Sequence, residues 1–530
     1  MTPMTAPTFP TVTPAHVRSR LLARHEIALL DVREEDPHAQ AHPLWAANLA
    51  FSKLELEAWG RLPRRDVPVV VFDDGEGLAL PAAHRLRTLG YTDVSLLDGG
   101  LAGWRAAGGE VFRDVNVPSK AFGEWVEAER HTPSLSAPEV QRLLEDGADV
   151  VVLDARRFEE YQTMGIPGGI SVPGAELVLR VRDLAPDPAT RVIVNCAGRT
   201  RSIIGKQSLV NAGIPNPVAA LRNGTIGWTL AGQTLAHGQS RRFSDVSPGD
   251  PAAARAAARD VARRAGVPTF TDAEVAAWVD DPTRTTYRYD VRTPEEYAQG
   301  HRAGFRSAPG GQLVQETDVC APVRGARLVL NDDDGVRARM TASWLAQMGW
   351  TVAVVDGLAG PLEAGTDTAP RPEAPPVRAV SPATLADWLA TGDTVVIDVT
   401  ASASHVARHV PGAWWSPRSQ LAQALRVIPP ARRYVLTCGS SLLARFAAVD
   451  LQALTTADVS VLDGGTAAWV AAGRPTASGD RHLAAARIDR YRRPYEGTDS
   501  PREAMQAYLD WEFGLVDQLK RDGTHFFQVI

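Results

Sequence analysis

The stretch Arg191-Val192-Ile193-Val194-Asn195-Cys196-Ala197-Gly198-Arg199-Thr200-Arg201-Ser202 reads as a buried β-strand, a short loop and the first turn of a helix. Its apolar run is continuous rather than alternating, which fits a strand covered on both faces. Ile203 to Val210 continues as a helix, Gly213 ends it, and Val218 to Leu221 reads as the next strand. Strand-helix-strand alternation implies a parallel sheet with helices on both faces, and places any site at the carboxyl ends of the strands.

Beyond this stretch the same pattern recurs, four times in all. An acidic residue closes a short apolar run at Leu29-Leu30-Asp31, Val152-Leu153-Asp154, Arg288-Tyr289-Asp290 and Val396-Ile397-Asp398, each one domain length from the last. A second β-rich run follows each and ends at Asp73, Cys196, Asp332 and Cys438. The separation from the first landmark to the second is identical in the first three copies and two positions shorter in the fourth. A third landmark is Asp98-Gly99-Gly100 with Trp104, Arg222-Asn223-Gly224 with Trp228, Asp356-Gly357 with Leu362, and Asp463-Gly464-Gly465 with Trp469. Its distance beyond the second landmark varies by no more than one position either way. Three landmarks in register over four copies identify an internal repeat. Helix starts are signalled at Ser136-Ala137-Pro138-Glu139 and Ser381-Pro382-Ala383. Linkers are expected near Val117, around Ser244 to Pro251, and at Ala369 to Pro376, with Ala252 to Gly266 as an exposed connecting helix. Beyond Gly479 the repeat ends, and Tyr491, Tyr495, Tyr508, Trp511, Phe513, Phe526 and Phe527 predict a segment that docks on a neighbour.

The 530-residue length agrees with several domains of ordinary size, and 44% hydrophobic with 22% charged residues is ordinary globular usage. Lys and Arg number 56 against 62 Asp and Glu, a net charge of −6 that gives no general attraction to nucleic acid or an anionic membrane. Three Cys exclude a disulfide framework, and the region from Met1 to Pro14 lacks the basic start and apolar centre of a secretory signal, so the cytoplasm is the expected location. No run approaches the ~20 apolar residues of a spanning helix.

The chemistry resides in the loop at Cys196. A strand-to-helix loop turns backbone N–H groups inward, and the helix start adds about half a positive charge. Arg199 and Arg201 add full charges, making an anion cradle. A Cys at its mouth is expected to have its pKa lowered from about 8.5 towards neutrality, and so to serve as a nucleophile without a neighbouring His.

These residues resemble the rhodanese family of sulfurtransferases, over roughly residues 10–479. The loop at Cys196 is similar to the family's active-site loop, with Arg201 five positions on and Ser202 next. Asp154-Ala155-Arg156, Glu160-Tyr161 and Ile166-Pro167-Gly168-Gly169 resemble its other signatures, with Gly165 where a His is common. The resemblance implies an α/β fold of four tandem rhodanese-like domains, each a parallel β-sheet flanked by helices on both faces: residues 10–117, 118–243 (the catalytic repeat), 267–369 and 377–479, then a docking extension over 480–530. It implies Cys196 as the catalytic nucleophile. Ala197, Gly198, Arg199, Thr200, Arg201, Ser202 and Arg156 are then substrate-binding, with Asp154 in support. The implied reaction moves sulfur from thiosulfate to cyanide or a thiol through a Cys196 persulfide; a protein thiol is a further acceptor. Neither a cofactor nor a metal is expected.

The remaining copies lack parts of this machinery. Repeat one has Asp73-Asp74-Gly75 and repeat three Asp332-Asp333-Asp334, so both put carboxylates where an anion would bind and are expected to repel it. Repeat four keeps Cys438 but has Leu443 in place of Arg201 and Thr400 in place of Arg156; a sulfur relay through Cys438 stays open. Cys320 falls off register. His405 and His409 lack a third ligand for zinc. Three other readings stand beside the main one. A phosphatase loop of the related kind holds one more residue between Cys and Arg than the four between Cys196 and Arg201. A noncatalytic repeat scaffold would bind a partner protein. 3-Mercaptopyruvate is the alternative donor, since its carboxylate would also attract Arg, whereas Arg199 and Arg201 favour a small dianion.

Overall fold

Each of the four acidic landmarks closes a β-strand: Ala28–Asp31, Val150–Asp154, Thr286–Asp290 and Thr394–Asp398. The computed structural model describes residues 8–243, 251–497 and 499–530. In it these strands belong to four five-stranded sheets, and each sheet has the order 1-5-4-2-3 when strands are counted along its own repeat. Pairing within these sheets is parallel, as Val/Ile/Leu-rich runs buried on both faces require. The fourth strand, which leads into the loop, is therefore central and pairs with the second. Register places the landmarks alike in all four copies, including the fourth with its connection two residues shorter. Asp31 lies opposite Phe72, Asp154 opposite Asn195, Asp290 opposite Asn331 and Asp398 opposite Thr437, each one residue before the loop landmark.

All four aspartates are buried. Three are held by the arginine two residues on, in one arrangement. Asp154 Oδ1 accepts from Arg156 N at 3.1 Å and Nε at 2.9 Å, and Oδ2 accepts from Nη2 at 2.7 Å. The same Nη2 donates to the Met164 carbonyl, eight residues on, at 2.6 Å. Asp31 with Arg33 and Asp290 with Arg292 repeat the pattern, reaching the carbonyls of Ala41 and Gly300. In repeat four, where Thr400 replaces the arginine, His405 Nδ1 takes up Asp398 Oδ2 at 2.9 Å and stacks on His409. These two histidines thus have structural work to do.

Trp104, Trp228 and Trp469 are buried and donate to the carbonyl six residues on, at 2.8, 3.0 and 2.7 Å. Leu362 does not share their place. It is 50% exposed, in the strand Leu362–Glu363 that pairs antiparallel with His301–Arg302, where the other repeats carry a helix.

The segment near Val117 is no linker but the 14-residue helix Val117–Arg130, which packs on Thr200–Asn211. Gly123 allows that approach: a Cβ there would stand 2.9 Å from Thr200 Cγ2. The Ala/Arg-rich stretch forms the helix Pro251–Arg264, and Ala254, Ala258 and Val261 bury a stripe of it against repeats two and three, so it is exposed on one side alone. The linker expected at Ser244 to Pro251 lies, up to residue 250, outside the described residues. One core joins repeats one and three, and Leu515, Leu519 and Phe527 of the C-terminal segment enter it. Repeat four attaches through Arg418, whose Nη1 and Nη2 donate to Glu55 of repeat one at 2.6 and 2.9 Å.

Breaking a buried ion pair on one side leaves an uncompensated charge. Asp290→Ala, remote from Cys196 in sequence and stranding Arg292, is expected to cost about 3–5 kcal/mol, read as a lower urea midpoint for the first unfolding transition. A midpoint within error of the wild type would refute this role.

Candidate functional site

The loop after the central strand is built around a negative charge, and repeats one and three supply that charge themselves. Asp73 Oδ1 accepts from the Gly75 amide at 3.1 Å, and its Oδ2 from the amides of Leu78 and Ala79 at 2.6 and 2.9 Å. Asp332 accepts from the amides of Gly335 and Ala338 at 2.9 and 2.8 Å. Burial, with Asp334 beside it, pushes Asp332 up to about 7 even so. These carboxylates do more than repel an anion. They sit in the cradle that would hold one.

In repeat two the same position is Cys196, which is 1% exposed. Its Sγ donates to Ser202 Oγ at 3.4 Å, and Ser202 Oγ donates to the Arg199 carbonyl at 2.8 Å. Burial pushes the thiol up; Arg201 and Ser202 pull it down but do not prevail. The expected lowering towards neutrality is therefore not found. The loop is closed over, and both of its arginines are already matched to acids.

Arg201 donates to Glu160 through Nη1 at 2.7 Å and Nη2 at 2.9 Å. Burial would raise the Glu160 carboxyl, but Arg201 holds it at about 2. Arg199 turns away: Nε and Nη2 donate to Glu124 at 2.7 and 2.9 Å, Nη2 also meets Glu127, and Nη1 donates to Asn223 at 3.2 Å. Phe513 stacks on the same guanidinium at 4.2 Å. Arg156 is spent on Asp154 and Met164, as described. Of the other loop residues, Ser202 touches the Cys196 sulfur, Thr200 packs towards Gly123 and Gly198 faces Tyr508, whereas Arg199 and Arg156 brace the frame. Asn223 adopts φ 62° at the start of Gly224–Leu230, and the amides of Thr225 and Ile226 donate to the carbonyls of Cys196 and Ala197 at 2.9 and 3.0 Å. They fix the loop from behind.

Repeat four differs in its backbone as well as its charge. Ser441 takes φ 71°, a left-handed conformation that non-glycine residues rarely adopt, before the helix Leu442–Gln452. The equivalent residue before the helix in repeat two, Arg199, has φ −121°. Cys438 is buried at the mouth of this altered loop, and Cys320 lies in a separate helix of repeat three.

A cover over the loop was not legible in the sequence. The helix Arg502–Phe513 packs on Ile226 through Met505, Tyr508 and Leu509. A Cβ on Gly198 would lie 3.1 Å from Tyr508 Cε1 and 3.2 Å from Glu512 Oε2, so glycine admits this helix to the loop. Lys120 anchors it. Its Nζ donates to Asp114 at 2.6 Å and lies 5.4, 5.1 and 5.6 Å from the rings of Tyr495, Tyr508 and Trp511. Glu512 is fully buried; Tyr508 Oη donates to its Oε1 at 2.8 Å, while Oε2 has no hydrogen-bond partner among the described residues. Burial pushes Glu512 and Glu124 up to about 7, helped by Asp114 beside the first and Glu512 beside the second, against the pull of Lys120 and Arg199. Each of these groups is far from Cys196 in sequence; the acidic pair Glu124 and Glu127, one helical turn apart, is the single local signal for an arginine partner.

Sheets of this order, each with a loop joining the central strand to a helix, are those of the rhodanese type of sulfurtransferase domain. A family model described as Rhodanese-like domain matches residues 13–107, 136–231 and 381–472, and the chain belongs to this family. It shares 68% identity with a thiosulfate sulfurtransferase of Pseudomonas aeruginosa of known crystal structure, over 98% of this chain and 100% of that one, with a TM-score of 0.96. It is also 51% identical over 69 residues to a protein of the same organism named "Probable 3-mercaptopyruvate sulfurtransferase", covering 13% of this chain and 23% of that one. A third relative, "Putative thiosulfate sulfurtransferase SseB" of Mycobacterium tuberculosis, is 28% identical over 204 residues, 32% of this chain and 71% of that protein. The third repeat lies outside the family match, yet its sheet has the same strand order as the others. No helix among the described residues is long and apolar enough to cross a membrane.

The buried carboxyl of Glu512 generates a stability prediction. Its folded pKa lies above the ordinary 4.5, so the folded state holds the proton more tightly than the unfolded chain. Stability therefore falls as pH rises from about 4.5 through 7, by on the order of 3 kcal/mol for the group. Glu512→Gln, which stays neutral, is expected to flatten the decline in Tm between pH 5.5 and pH 8. An equal decline in both proteins would show that the carboxyl is not the source.

Proposed function

We propose that the chain transfers sulfane sulfur from thiosulfate to cyanide or a thiol, with Cys196 of repeat two as the sulfur carrier. The Cys196 thiolate attacks the outer sulfur of thiosulfate, forming a new S–S bond. The old S–S bond breaks, and sulfite departs with its electron pair. The thiol proton passes to solvent. An acceptor thiolate or cyanide then attacks the outer persulfide sulfur, and Cys196 leaves as thiolate, ready for another cycle. One observation carries the reading: the amides that converge on Asp73 and Asp332 belong to a loop made for an anion, and in repeat two the occupant is a sulfur nucleophile in place of a carboxylate. The persulfide anion fits that same cradle. Ala197, Gly198, Thr200 and Ser202 line it with backbone, Arg201 is the nearest full charge, and Arg199, Arg156 and Asp154 hold the loop in shape. The 68% identity to a thiosulfate sulfurtransferase supports thiosulfate as donor. The stretch shared with the mercaptopyruvate enzyme keeps that keto acid as the second donor to assay.

Cys196→Ser is expected to abolish thiocyanate formation from thiosulfate and cyanide, because a hydroxyl forms no persulfide; Cys438→Ser is expected to leave it nearly unchanged. Activity surviving in the first variant and lost in the second would move the site to repeat four.

The raised thiol sets the pH dependence. Below its pKa the thiolate fraction grows tenfold per pH unit, so kcat/KM is expected to climb through pH 9 without levelling near neutrality. Arg201→Ala removes the charge that offsets burial; it should raise the thiol pKa further, measured by pH-dependent alkylation, and raise KM for thiosulfate by roughly 10- to 150-fold. A plateau near pH 7, or an unchanged alkylation profile, would contradict this role.

A further inference from the structure

A groove of about 490 Å³ lies where repeats one and three meet, at the end of their sheets opposite the loops. Its residues Glu26, Pro68, Arg284 and Gly325 stand just before the strands Ala28–Asp31, Val69–Phe72, Thr286–Asp290 and Arg327–Asn331. Four arginines and two carboxylates line it, and one arginine takes both acids. Arg64 Nη2 lies 2.5 Å from Glu26 Oε2, and its Nη1 lies 2.9 Å from Asp66 Oδ1. Arg20, Arg24 and Arg284 have no ion-pair partner among the described residues.

Unpaired arginines are ordinary on an open surface, where water serves their charge. These are partly buried. Arg20 Nη2 donates to the Glu26 carbonyl at 2.8 Å, while its Nε is buried without a hydrogen-bond partner among the described residues. Arg284 spends Nε on the Gly325 carbonyl at 2.8 Å and Nη2 on Thr351 Oγ1 at 2.9 Å, neither of them an acid. Arg324, next to Gly325 in the chain, is 8% exposed, bridges to Ile27 through its backbone, and also lacks an ion-pair partner. Its guanidinium lies 3.7 Å from the Trp45 ring and 4.8 Å from that of Trp350, and Nη2 donates to the carbonyls of Met348 and His525. Its Nη1 and Trp350 Nε1 are both buried without a hydrogen-bond partner. Burial, with Arg24 nearby, pushes the Arg324 guanidinium down to about 9. Water can satisfy spare N–H groups. Only an anion also balances the charge.

We infer that this groove binds a diphosphate group, free or as part of a small ester, at the junction of repeats one and three. Guanidinium groups present paired donors that match the oxygens of a phosphate. One phosphate group brings about 1.5–2 negative charges at neutral pH, fewer than the three unpaired guanidiniums of the groove, with Arg324 behind them, would hold. Two linked phosphates come closer to that charge, and they span several arginines where a single tetrahedral ion reaches one end. The site goes beyond sulfur transfer: neither Cys196 nor any residue of its loop lines it.

Calorimetric titration of the full chain with pyrophosphate, orthophosphate and ADP, at one ionic strength and without added metal ions, tests the site. The wild type is expected to bind one equivalent of pyrophosphate, and orthophosphate about tenfold or more weakly. Arg20→Ala/Arg24→Ala is expected to weaken pyrophosphate binding by about tenfold or more. Arg24 is exposed and its side chain donates no hydrogen bond among the described residues, so Arg24→Glu leaves the fold in place and is expected to weaken binding by itself. Arg490→Ala/Arg492→Ala removes two arginines that pair with Glu496 and Asp499 at the surface elsewhere, and is expected to leave binding within about twofold. ADP bound as well as pyrophosphate supports the site with an ester as its ligand; ADP that fails where pyrophosphate binds supports it with the free ion. A wild type that binds no pyrophosphate would overturn the inference. So would binding unchanged in both groove variants, equal loss in the Arg490/Arg492 variant, or orthophosphate bound as tightly as pyrophosphate.

Discussion

A buried carboxylate at the end of the second strand is the contact on which every repeat depends. Asp154 ties the backbone and side chain of Arg156 to itself, and Arg156 reaches the carbonyl of Met164, so one ion pair fixes the turn after the strand and the end of the next helix. Because the second and fourth strands pair in parallel register, the same aspartate stands beside the residue that begins the loop. Asn195 Nδ2 donates to Asp154 Oδ2 at 2.8 Å, linking the two strand ends directly. Two charges taken out of water are costly unless their donors and acceptors are matched, and in three repeats an arginine does this for the aspartate, whereas in the fourth His405 Nδ1 lies 2.9 Å from Asp398 Oδ2 and its Nε2 has no hydrogen-bond partner among the described residues. Repeat one has this histidine contact as well, His38 Nδ1 lying 2.9 Å from Asp31 Oδ2 beside Arg33, so repeat four keeps the histidine and lacks only the arginine.

With the frame fixed, the residue after the central strand decides what each copy does. A carboxylate there takes the inward amides for itself, as Asp73 and Asp332 do, and the loop becomes a closed structural turn. Cys196 leaves the amides free of a permanent anion. Arg337 illustrates the same shift in role: aligned with Arg201 and paired with Glu296 as Arg201 is with Glu160, it also binds Glu176 of repeat two at 2.8 Å and so joins repeats instead of serving a substrate. The other copies act as packing partners: repeats one and three share a core, repeat three binds repeat two through Arg337, and repeat four binds repeat one through Arg418.

The repeat, its sheets and the Cys196 loop were legible because they depend on local patterns: apolar runs, a strand-ending aspartate, and the recurring spacing between them. Features that depend on distant segments meeting were not. Arg199 looked like a substrate contact because its partners Glu124 and Glu127 lie far earlier in the chain, in a segment whose proline suggested a linker; that proline occupies the first turn of a helix, where it costs nothing. The aromatic residues of the C-terminal segment pointed to docking, but not to Lys120 as the anchor or Glu512 over the loop. Asp73 and Asp332 were read as repelling an anion when their own carboxylates fill the cradle; an Asp followed by Gly two or three residues on was the available sign. Leu362 kept its spacing in the sequence while the helix around it was lost.

If Cys196 alone carries the sulfur, the persulfide must form there and on no other cysteine. Incubation of the full chain with thiosulfate and no acceptor, then digestion and mass measurement of the three cysteine peptides, tests this most directly. A gain of about 32 Da, one persulfide sulfur, is predicted on the peptide containing Cys196 and none on those containing Cys320 or Cys438. A gain on the Cys438 peptide with none on that of Cys196 would contradict it.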